Sequence, residues 1–180
     1  MKTQLAFIIS VVCLFISTGC TNRSSLSVTS SSNNYKAVLN TEYYIDDGDI
    51  EKIKLQNGAF DKATVSGSAS KTNATLGNNL LFSDINNDNA EDAVVTLEIN
   101  YGGSGTFTYL ALLLNQFNIL NNVDTVFLGD RVIVDSIDIY HDLITVTVLK
   151  RHDNESMITP PSVKNIRKFK LLGSQLIELH

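Results

Sequence analysis

The stretch from Asp84 to Asp92 carries oxygen-bearing side chains at a spacing that suits a metal ion. In the run Asp84-Ile85-Asn86-Asn87-Asp88-Asn89-Ala90-Glu91-Asp92, such side chains stand at the first, third, fifth and ninth positions, and a backbone carbonyl is available at the seventh. A hard cation such as calcium needs six or more oxygen ligands of these kinds. The spacing therefore predicts a calcium-binding loop just before a strand-like run that begins at Ala93.

This spacing resembles the Asp-x-Asn-x-Asp loops of integrin-type and dockerin-type calcium repeats. The resemblance implies a carbonyl ligand from Ala90 and side-chain ligands from Asp84, Asn86, Asp88 and Asp92. Asn89 replaces the usual glycine, and asparagine is tolerated there because it visits the left-handed region. Val95 stands where an EF-hand has its bidentate glutamate, so a loop of modest affinity between two strands is predicted instead. The alternative is a polar hairpin loop that holds no ion.

A second segment, Gly102-Gly103-Ser104-Gly105-Thr106, has the composition of a ligand-binding turn but lacks a catalytic signature. It is not a G-x-S-x-G nucleophile elbow, because Thr106 takes the place of the last glycine, and it lacks the lysine of a phosphate-binding loop. We interpret Gly102, Gly103, Ser104 and Gly105 as a hairpin turn, or as a turn that lets a ligand or partner approach the backbone closely.

No other residues form a recognisable active site in the sequence. The histidines are scattered without metal-ligand spacing, which predicts surface positions rather than a zinc site for His141, His152 and His180. No local signature selects a Ser-His-Asp set either, so we expect a protein that is not an enzyme.

The first twenty residues have the pattern of a secretory signal that ends in a lipid-accepting cysteine. Lys2 precedes a twelve-residue apolar run from Leu5 to Ile16, which is within the length of a signal and too short to span a bilayer. Small residues follow, in the order Ser17-Thr18-Gly19-Cys20. These residues resemble a bacterial lipoprotein signal, although that family more often has leucine at the position of Ser17. The alternatives are an ordinary secretory signal with a coincidental cysteine and an uncleaved N-terminal anchor.

The resemblance implies lipid attachment at Cys20 and a place in the cell envelope. Several acyl chains on one residue hold a protein stably at a membrane. The non-acidic Thr21 implies the periplasmic face of the outer membrane if the source is Gram-negative. Cys13 leaves with the signal, so the mature chain has no thiol for a disulfide and depends on its core for stability.

Composition divides the rest of the chain into a tether and one domain. Residues 1–19 are the predicted signal peptide, 20–34 the lipidated N-terminus with a Ser/Asn-rich tether, and 35–180 a β domain. The tether is polar and almost uncharged, which is typical of a flexible linker. The remaining length is enough for an independent core.

Within the predicted domain, apolar residues recur at every second position, which indicates β-strands. Apolar residues alternate with polar ones around Ile53, Val95 to Ile99 and Ile144 to Val148, and turn residues separate the runs. The run Phe107 to Leu114 is apolar on both faces, so it is a covered strand or a buried helix. We predict an all-β fold, a single antiparallel domain of about ten strands forming a sandwich or open barrel. The predicted hairpin turns are Asp47-Gly48, Asn57-Gly58, Gly77-Asn78-Asn79, 102–105, Gly129-Asp130, His141-Asp142 and Gly173-Ser174.

Charge is unevenly distributed along the chain, whose formal net charge is -5. This balance is unsuited to general nucleic-acid binding. Basic residues gather late, in the strand predicted from Lys164 to Leu171 after the pair Pro160-Pro161. The strand presents either a solvated basic face or a patch that meets an anionic partner, such as lipid head groups or a cell-wall polymer.

Several motifs together resemble a group of small bacterial envelope lipoproteins without an assigned activity. They are 84–88, Tyr101 to Phe107, Val126-Phe127-Leu128-Gly129-Asp130-Arg131 and Met157 to Val163. The resemblance implies a shared β fold and supplies no catalytic residue. We expect a membrane-anchored, non-enzymatic module that binds an unknown envelope protein or polymer, with calcium in its acidic loop. The alternative is an inhibitor or accessory protein that blocks a cell-wall hydrolase through an exposed loop, 102–106 or 153–162.

Overall fold

The computed structural model describes residues 32–47, 50–63 and 70–180, and these residues form an all-β fold with one short helix. The helix, α1, covers 32–38. The strands are β1 Glu42–Asp47, β2 Ile50–Lys54, β3 Ala59–Ala63, β4 Lys71–Ser83, β5 Asp92–Asn100, β6 Phe107–Gln116, β7 Ile119–Asp130, β8 Ile133–Tyr140, β9 Leu143–Lys150, β10 Val163–Leu172 and β11 Gln175–Leu179. The predicted signal peptide, Cys20 and most of the predicted tether lie outside the described residues. Helix α1 begins before the boundary predicted at residue 35.

The strands form three antiparallel sheets. A hairpin pairs β1 with β2, a five-stranded sheet has the order β3-β4-β5-β6-β7, and a four-stranded sheet has the order β11-β10-β9-β8. Each larger sheet is a meander, because strands that are consecutive in the chain are neighbours in the sheet. The all-β, antiparallel prediction is confirmed, and the arrangement is an open one of stacked layers.

The five-stranded sheet lies in the middle and is covered on both faces. One face packs against α1 and the β1-β2 hairpin, where Val38, Tyr43 and Ile53 meet alternate residues of β5 and β6 such as Val95 and Leu113. The other face packs against the four-stranded sheet. There the intervening residues meet a second set of buried side chains, namely Val94, Leu110 and Leu112 against Ile144, Val146, Val148 and Phe169.

This double coverage resolves the ambiguity at Phe107 to Leu114, which is a strand buried on both faces. It also changes the expectation for β5, where the alternating pattern predicted one exposed face. Thr96 is only 2% exposed, although it stands on the polar side of the alternation. A polar residue is tolerated there because its hydroxyl accepts a hydrogen bond from the N–H of Asn79, at 3.3 Å.

Two predicted hairpin turns are wrong. Gly129-Asp130 forms the end of β7, paired with β6, and the chain then passes to β8 in the other sheet instead of forming a hairpin. Gly77-Asn78-Asn79 lies inside β4, at a register shift between Leu76 and Leu80 in the pairing with β5. Such a shift is a β-bulge or a similar irregularity, which bends the strand. A Cβ atom at Gly77 would collide with the Thr96 hydroxyl, so this position needs glycine for close approach of two strands.

Arg167 joins the two larger sheets at one edge. It forms a bidentate ion pair with Glu178 of the neighbouring strand, through Nη2 to Oε2 at 2.6 Å and Nε to Oε1 at 2.7 Å. Its Nη1 also donates to the carbonyl of Phe127 in β7, at 2.8 Å. The hydrogen bond from Arg167 lowers the pKa of Glu178. Asp124 of β7 adds a second link, because its Oδ2 accepts the N–H of Leu176 in β11 at 2.6 Å. Side-chain hydrogen bonds rather than a strand pair therefore join β7 to the four-stranded sheet.

Candidate functional site

The predicted calcium loop is a compact polar turn between β4 and β5. Asp84 accepts backbone N–H groups with both oxygens, from Asp88 to Oδ1 at 3.1 Å and from Asn89 to Oδ2 at 2.9 Å. Asn87 and Asn89 have φ values of 61° and 67°. Asn89 therefore adopts the left-handed conformation that the sequence required of it in place of glycine.

The middle of the loop is held by Asn86 and Asp88. Oδ1 of Asn86 accepts the N–H of Asp88 at 3.0 Å, and Nδ2 of Asn86 donates to Oδ2 of Asp88 at 2.9 Å. Asp88 in turn accepts the N–H of Ala90 at 2.8 Å. These are the short-range bonds by which Asp and Asn side chains build turns.

Asp92 differs from the other predicted ligands because it is fully buried. Its Oδ2 accepts the N–H of Ile85 and its Oδ1 accepts the N–H of Asn115, both at 2.9 Å. Burial raises the pKa of Asp92, and the hydrogen bonds from these two N–H groups oppose that rise. Asp92 thus connects the loop to the end of β6.

The arrangement of these side chains is a polar turn rather than a formed ligand shell. Within the described residues, no three acidic, histidine or cysteine side chains are gathered closely enough to hold a metal ion. One polar atom beside the loop lacks a partner: Oδ1 of Asn115, in a residue that is 8% exposed. Nδ2 of the same residue donates to the carbonyl of Glu91 at 3.2 Å.

The glycine segment is the turn between β5 and β6, as predicted. Asn100 shapes it, because its Oδ1 accepts the N–H of Gly102 at 2.8 Å and its Nδ2 donates to the carbonyls of Gly103 and Gly105. Gly102 has a φ of +87°, and a Cβ there would collide with the Ser70 hydroxyl. Gly102, Gly103 and Ser104 are exposed at the tip of the turn.

The turn after β7 is tied directly to this glycine turn. The N–H of Arg131 donates to the carbonyl of Thr106 at 2.7 Å, and Oδ1 of Asp130 accepts the N–H of Thr106 at 3.1 Å. The Arg131 guanidinium donates to the carbonyl and the hydroxyl of Ser104, at 3.0 and 3.1 Å. It also pairs with the carboxylate of Asp130 at 2.7 Å.

A third segment, the loop between β9 and β10, joins the same end of the molecule. Nη1 of Arg151 donates to the carbonyl of Arg131 at 3.1 Å, and its Nε donates to the carbonyl of Thr159. The Arg131 guanidinium also lies 3.6 Å from the sulfur of Met157. This loop carries two exposed apolar side chains, Met157 at 64% and Ile158 at 91%.

Three motifs that are distant in sequence therefore meet at one end of the molecule. We call residues 101–106, 128–131 and 151–162 the Arg131 loop cluster. The sequence pointed to 102–106 and 153–162 separately, and it assigned no role to Arg131 or Arg151. The signal available was an arginine directly after Gly129-Asp130, which end β7, but nothing local showed which backbone groups it would reach.

The two candidate sites lie at opposite ends of β5. Asp92, where the strand begins, contacts the acidic loop, and Asn100, where it ends, shapes the glycine turn. A nine-residue strand separates its ends by ~30 Å at about 3.3 Å per residue. The sites are therefore too far apart to share a ligand. His141, His152 and His180 are exposed, as predicted.

Comparison with protein-family models, with curated proteins and with solved structures gave no match to this chain. The resemblance of its motifs to small envelope lipoproteins therefore stays a prediction. Among the described residues, no helix has the length and apolar character needed to cross a membrane.

The buried carboxyl group of Asp92 predicts a distinct pH dependence of stability. Because its pKa is raised in the folded state, the folded protein binds the proton more tightly than the unfolded chain does. The stabilisation is thus complete below the unfolded pKa of about 3.9 and is lost as the pH rises through the folded value. Urea unfolding across this pH range gives the free energy of unfolding of the unmutated protein and of Asp92→Asn. The free energy of the unmutated protein minus that of the variant should fall as the pH rises.

The matched variant for this measurement is Asp142→Asn. A hydrogen bond from Lys170 lowers the pKa of Asp142, so the contribution of this carboxylate should rise with pH instead. If the difference in unfolding free energy between the unmutated protein and Asp92→Asn does not change with pH, or rises with pH, the role assigned to Asp92 is contradicted.

Proposed function

We propose that the protein is a lipid-anchored envelope protein that binds a partner through the Arg131 loop cluster and catalyses no reaction. The observation that carries this proposal is the presentation of Met157 and Ile158 on loops fixed by Arg131 and Arg151. Exposed apolar side chains on an ordered loop supply contact area to a partner.

The loop cluster is suited to binding because it is organised before a partner arrives. Arg131 alone donates to Ser104, Asp130 and Thr106 through side chain and backbone. Within the third segment, the N–H of His152 donates to Oε2 of Glu155 at 2.9 Å, and the N–H of Glu155 donates to the carbonyl of His152 at 3.0 Å. A loop already held in its bound shape loses less entropy on association.

The cluster favours a protein partner, and it also favours the alternative function of a hydrolase inhibitor. Both loops named for that function, 102–106 and 153–162, contact Arg131, which links them. The glycine turn has little side-chain bulk, so a partner can approach its backbone closely. The exposed apolar side chains of Met157 and Ile158, on a loop linked to this turn through Arg131, are suited to a concave partner surface, such as the cleft of an enzyme.

Attachment to the membrane is supported by the sequence pattern that ends in Cys20. The apolar run of twelve residues, the small residues after it and the position of the thiol are what lipid transfer requires. Attachment would keep the domain in the envelope and restrict its partners to molecules close to that membrane.

Calcium binding is proposed for the acidic loop. The left-handed conformation of Asn89 and the two hydrogen bonds to Asp84 support it, because they curl the chain around the side-chain oxygens of Asp84, Asn86 and Asp88. In that case calcium would be held by these side chains with the Ala90 carbonyl, and it would stabilise the loop. Asp92, which already accepts two backbone N–H groups, would need to turn from them to join the ligands.

The membrane attachment predicts that Cys20→Ser removes lipid labelling. Cells fed a labelled fatty acid should incorporate it into the unmutated protein and lose at least nine tenths of the signal in this variant. Cys13→Ser is the control, because it changes the only other cysteine of the chain. Equal labelling of the two variants would show that lipid is not attached at Cys20.

The loop cluster predicts a partner contact at Ile158. A photo-reactive amino acid at position 158 should cross-link to one envelope protein in cells, whereas the same group at Phe117, a 99% exposed side chain in the β6-β7 turn, should not. Ile158→Asp should then weaken binding of the identified partner at least tenfold with an unchanged melting temperature. Identical adducts at both positions would contradict the proposal.

Calcium binding predicts a calcium-dependent melting temperature. At a calcium concentration about ten times Kd, bound ion should add about 1.4 kcal/mol to the free energy of unfolding, a shift of a few degrees. Asp88→Ala should abolish the shift, and Asp138→Ala, an exposed carboxylate on β8, should retain it. An equal melting temperature of the unmutated protein with and without excess calcium would show that the loop holds no ion.

A further inference from the structure

The outer side of the four-stranded sheet combines lysines with exposed apolar side chains. Because side chains alternate along a strand, residues of one parity in β10 point away from the core, whereas Phe169 of the other parity is buried. The register places their partners in β9 and β11 on the same side. We call this surface the basic sheet face; its central row in β10 is Lys164, Ile166, Lys168, Lys170 and Leu172.

Several apolar side chains of this face are exposed to water. Ile166 is 57% exposed and lies in the middle of the row. On β11, Ile177 and Leu179 are opposite Lys170 and Lys168, with exposures of 40% and 42%. Tyr140 of β8, at the far edge, is 74% exposed. Contiguous exposed apolar side chains mark interaction surfaces in soluble domains.

Three lysines line the β10 row of this face, although the chain as a whole is acidic. Lys164 and Lys168 form no ion pair within the described part of the chain, while Lys170 pairs with Asp142 at 2.9 Å. The other exposed carboxylates of this sheet, Asp135 and Asp138, lie on β8, and the strand that carries Thr145 separates Asp138 from Lys168. The two unpaired lysines flank Ile166 on β10.

We propose that the basic sheet face docks on an anionic lipid surface. Lysine ammonium groups would contact lipid phosphates, and the aliphatic side chains between them would enter the boundary between head groups and acyl chains. An anionic polymer would use the lysines but leave Ile166, Ile177 and Leu179 in water. A second copy stacked on this face would bring the lysine rows together, which charge repulsion opposes.

The basic sheet face and helix α1, which follows the predicted tether, lie on opposite sides of the molecule, so the length of the tether limits whether the face can reach the membrane. Helix α1 packs on one side of the central sheet, and the basic sheet face is on the far side of the other layer. The layers are ~10 Å apart, so the basic sheet face lies two layer spacings, about 20 Å, from the layer that contains α1. The tether must cover this distance. The stretch from Cys20 to residue 31 extends to ~40 Å at most, at about 3.3–3.6 Å per residue. Docking on the membrane of attachment is therefore within reach, and this step rests on the lipid attachment proposed at Cys20.

The test uses the absence of tryptophan from the chain. Ile166→Trp places a single fluorescent reporter in the face, and Phe117→Trp places one in a turn of the central sheet as a control. Full-length lipidated protein is bound to vesicles of phosphatidylcholine alone or with a third of phosphatidylglycerol. We expect emission from position 166 to shift to the blue, and brominated acyl chains to quench it, only with the anionic vesicles. Emission from position 117 should not change.

Charge reversal then tests the lysines. Adding Lys164→Glu and Lys168→Glu to the reporter protein should abolish the shift, as should high salt, with an unchanged melting temperature. Lys54→Glu with Lys62→Glu, two exposed lysines elsewhere in the chain, should leave the shift intact.

Flotation with the vesicles reports attachment through Cys20 separately from the fluorescence of the face. A reporter at position 166 that stays solvent-exposed on anionic vesicles would overturn the proposal, whether or not the protein floats with them. So would an equal shift on neutral vesicles, or a shift produced by an anionic wall polymer without lipid.

Discussion

The fold depends on the burial of β5 and β6 from both sides. Alternate residues of these two strands enter different cores, so Val95 packs toward the hairpin and α1 while Val94 packs toward the four-stranded sheet. A two-stranded hairpin is at best marginally stable alone, and each outer layer is stabilised by the apolar area that it buries against the central sheet. The central sheet is thus a scaffold whose strands are held in place by two layers.

This rigid centre explains why function is assigned to the ends and the outer surface of the molecule. The ends of β5 hold two loop systems ~30 Å apart at about 3.3 Å per residue. At one end Asp92 connects the acidic loop to β6, and at the other Asn100 shapes the glycine turn. Loops placed on a covered sheet keep their shape, so polar and apolar side chains can be presented to partners without loss of the core.

Sequence reasoning succeeded where the physical cause was local. Asn89 was expected to take the left-handed conformation, and it has a φ of 67°. The glycine turn 102–105 and the loop at Pro160 were placed between strands correctly, because turn chemistry depends on a few neighbouring residues. Gly77 was misread for the same reason. Glycine followed by two asparagines has the composition of a hairpin turn, but the contact that requires glycine there is with Thr96 on the next strand.

The sequence alone determined that the chain is all-β and antiparallel and where most of the polar turns between its strands lie, because periodicity and turn residues act over short distances. The tertiary structure decided which strands are covered twice, that Asp92 is buried against two N–H groups, and that Arg131 draws three loops together. It also aligned Ile177 and Leu179 of β11 with Lys170 and Lys168 of β10 on one exposed surface. These features depend on contacts between residues far apart in the chain, and no local pattern encodes which partners will meet.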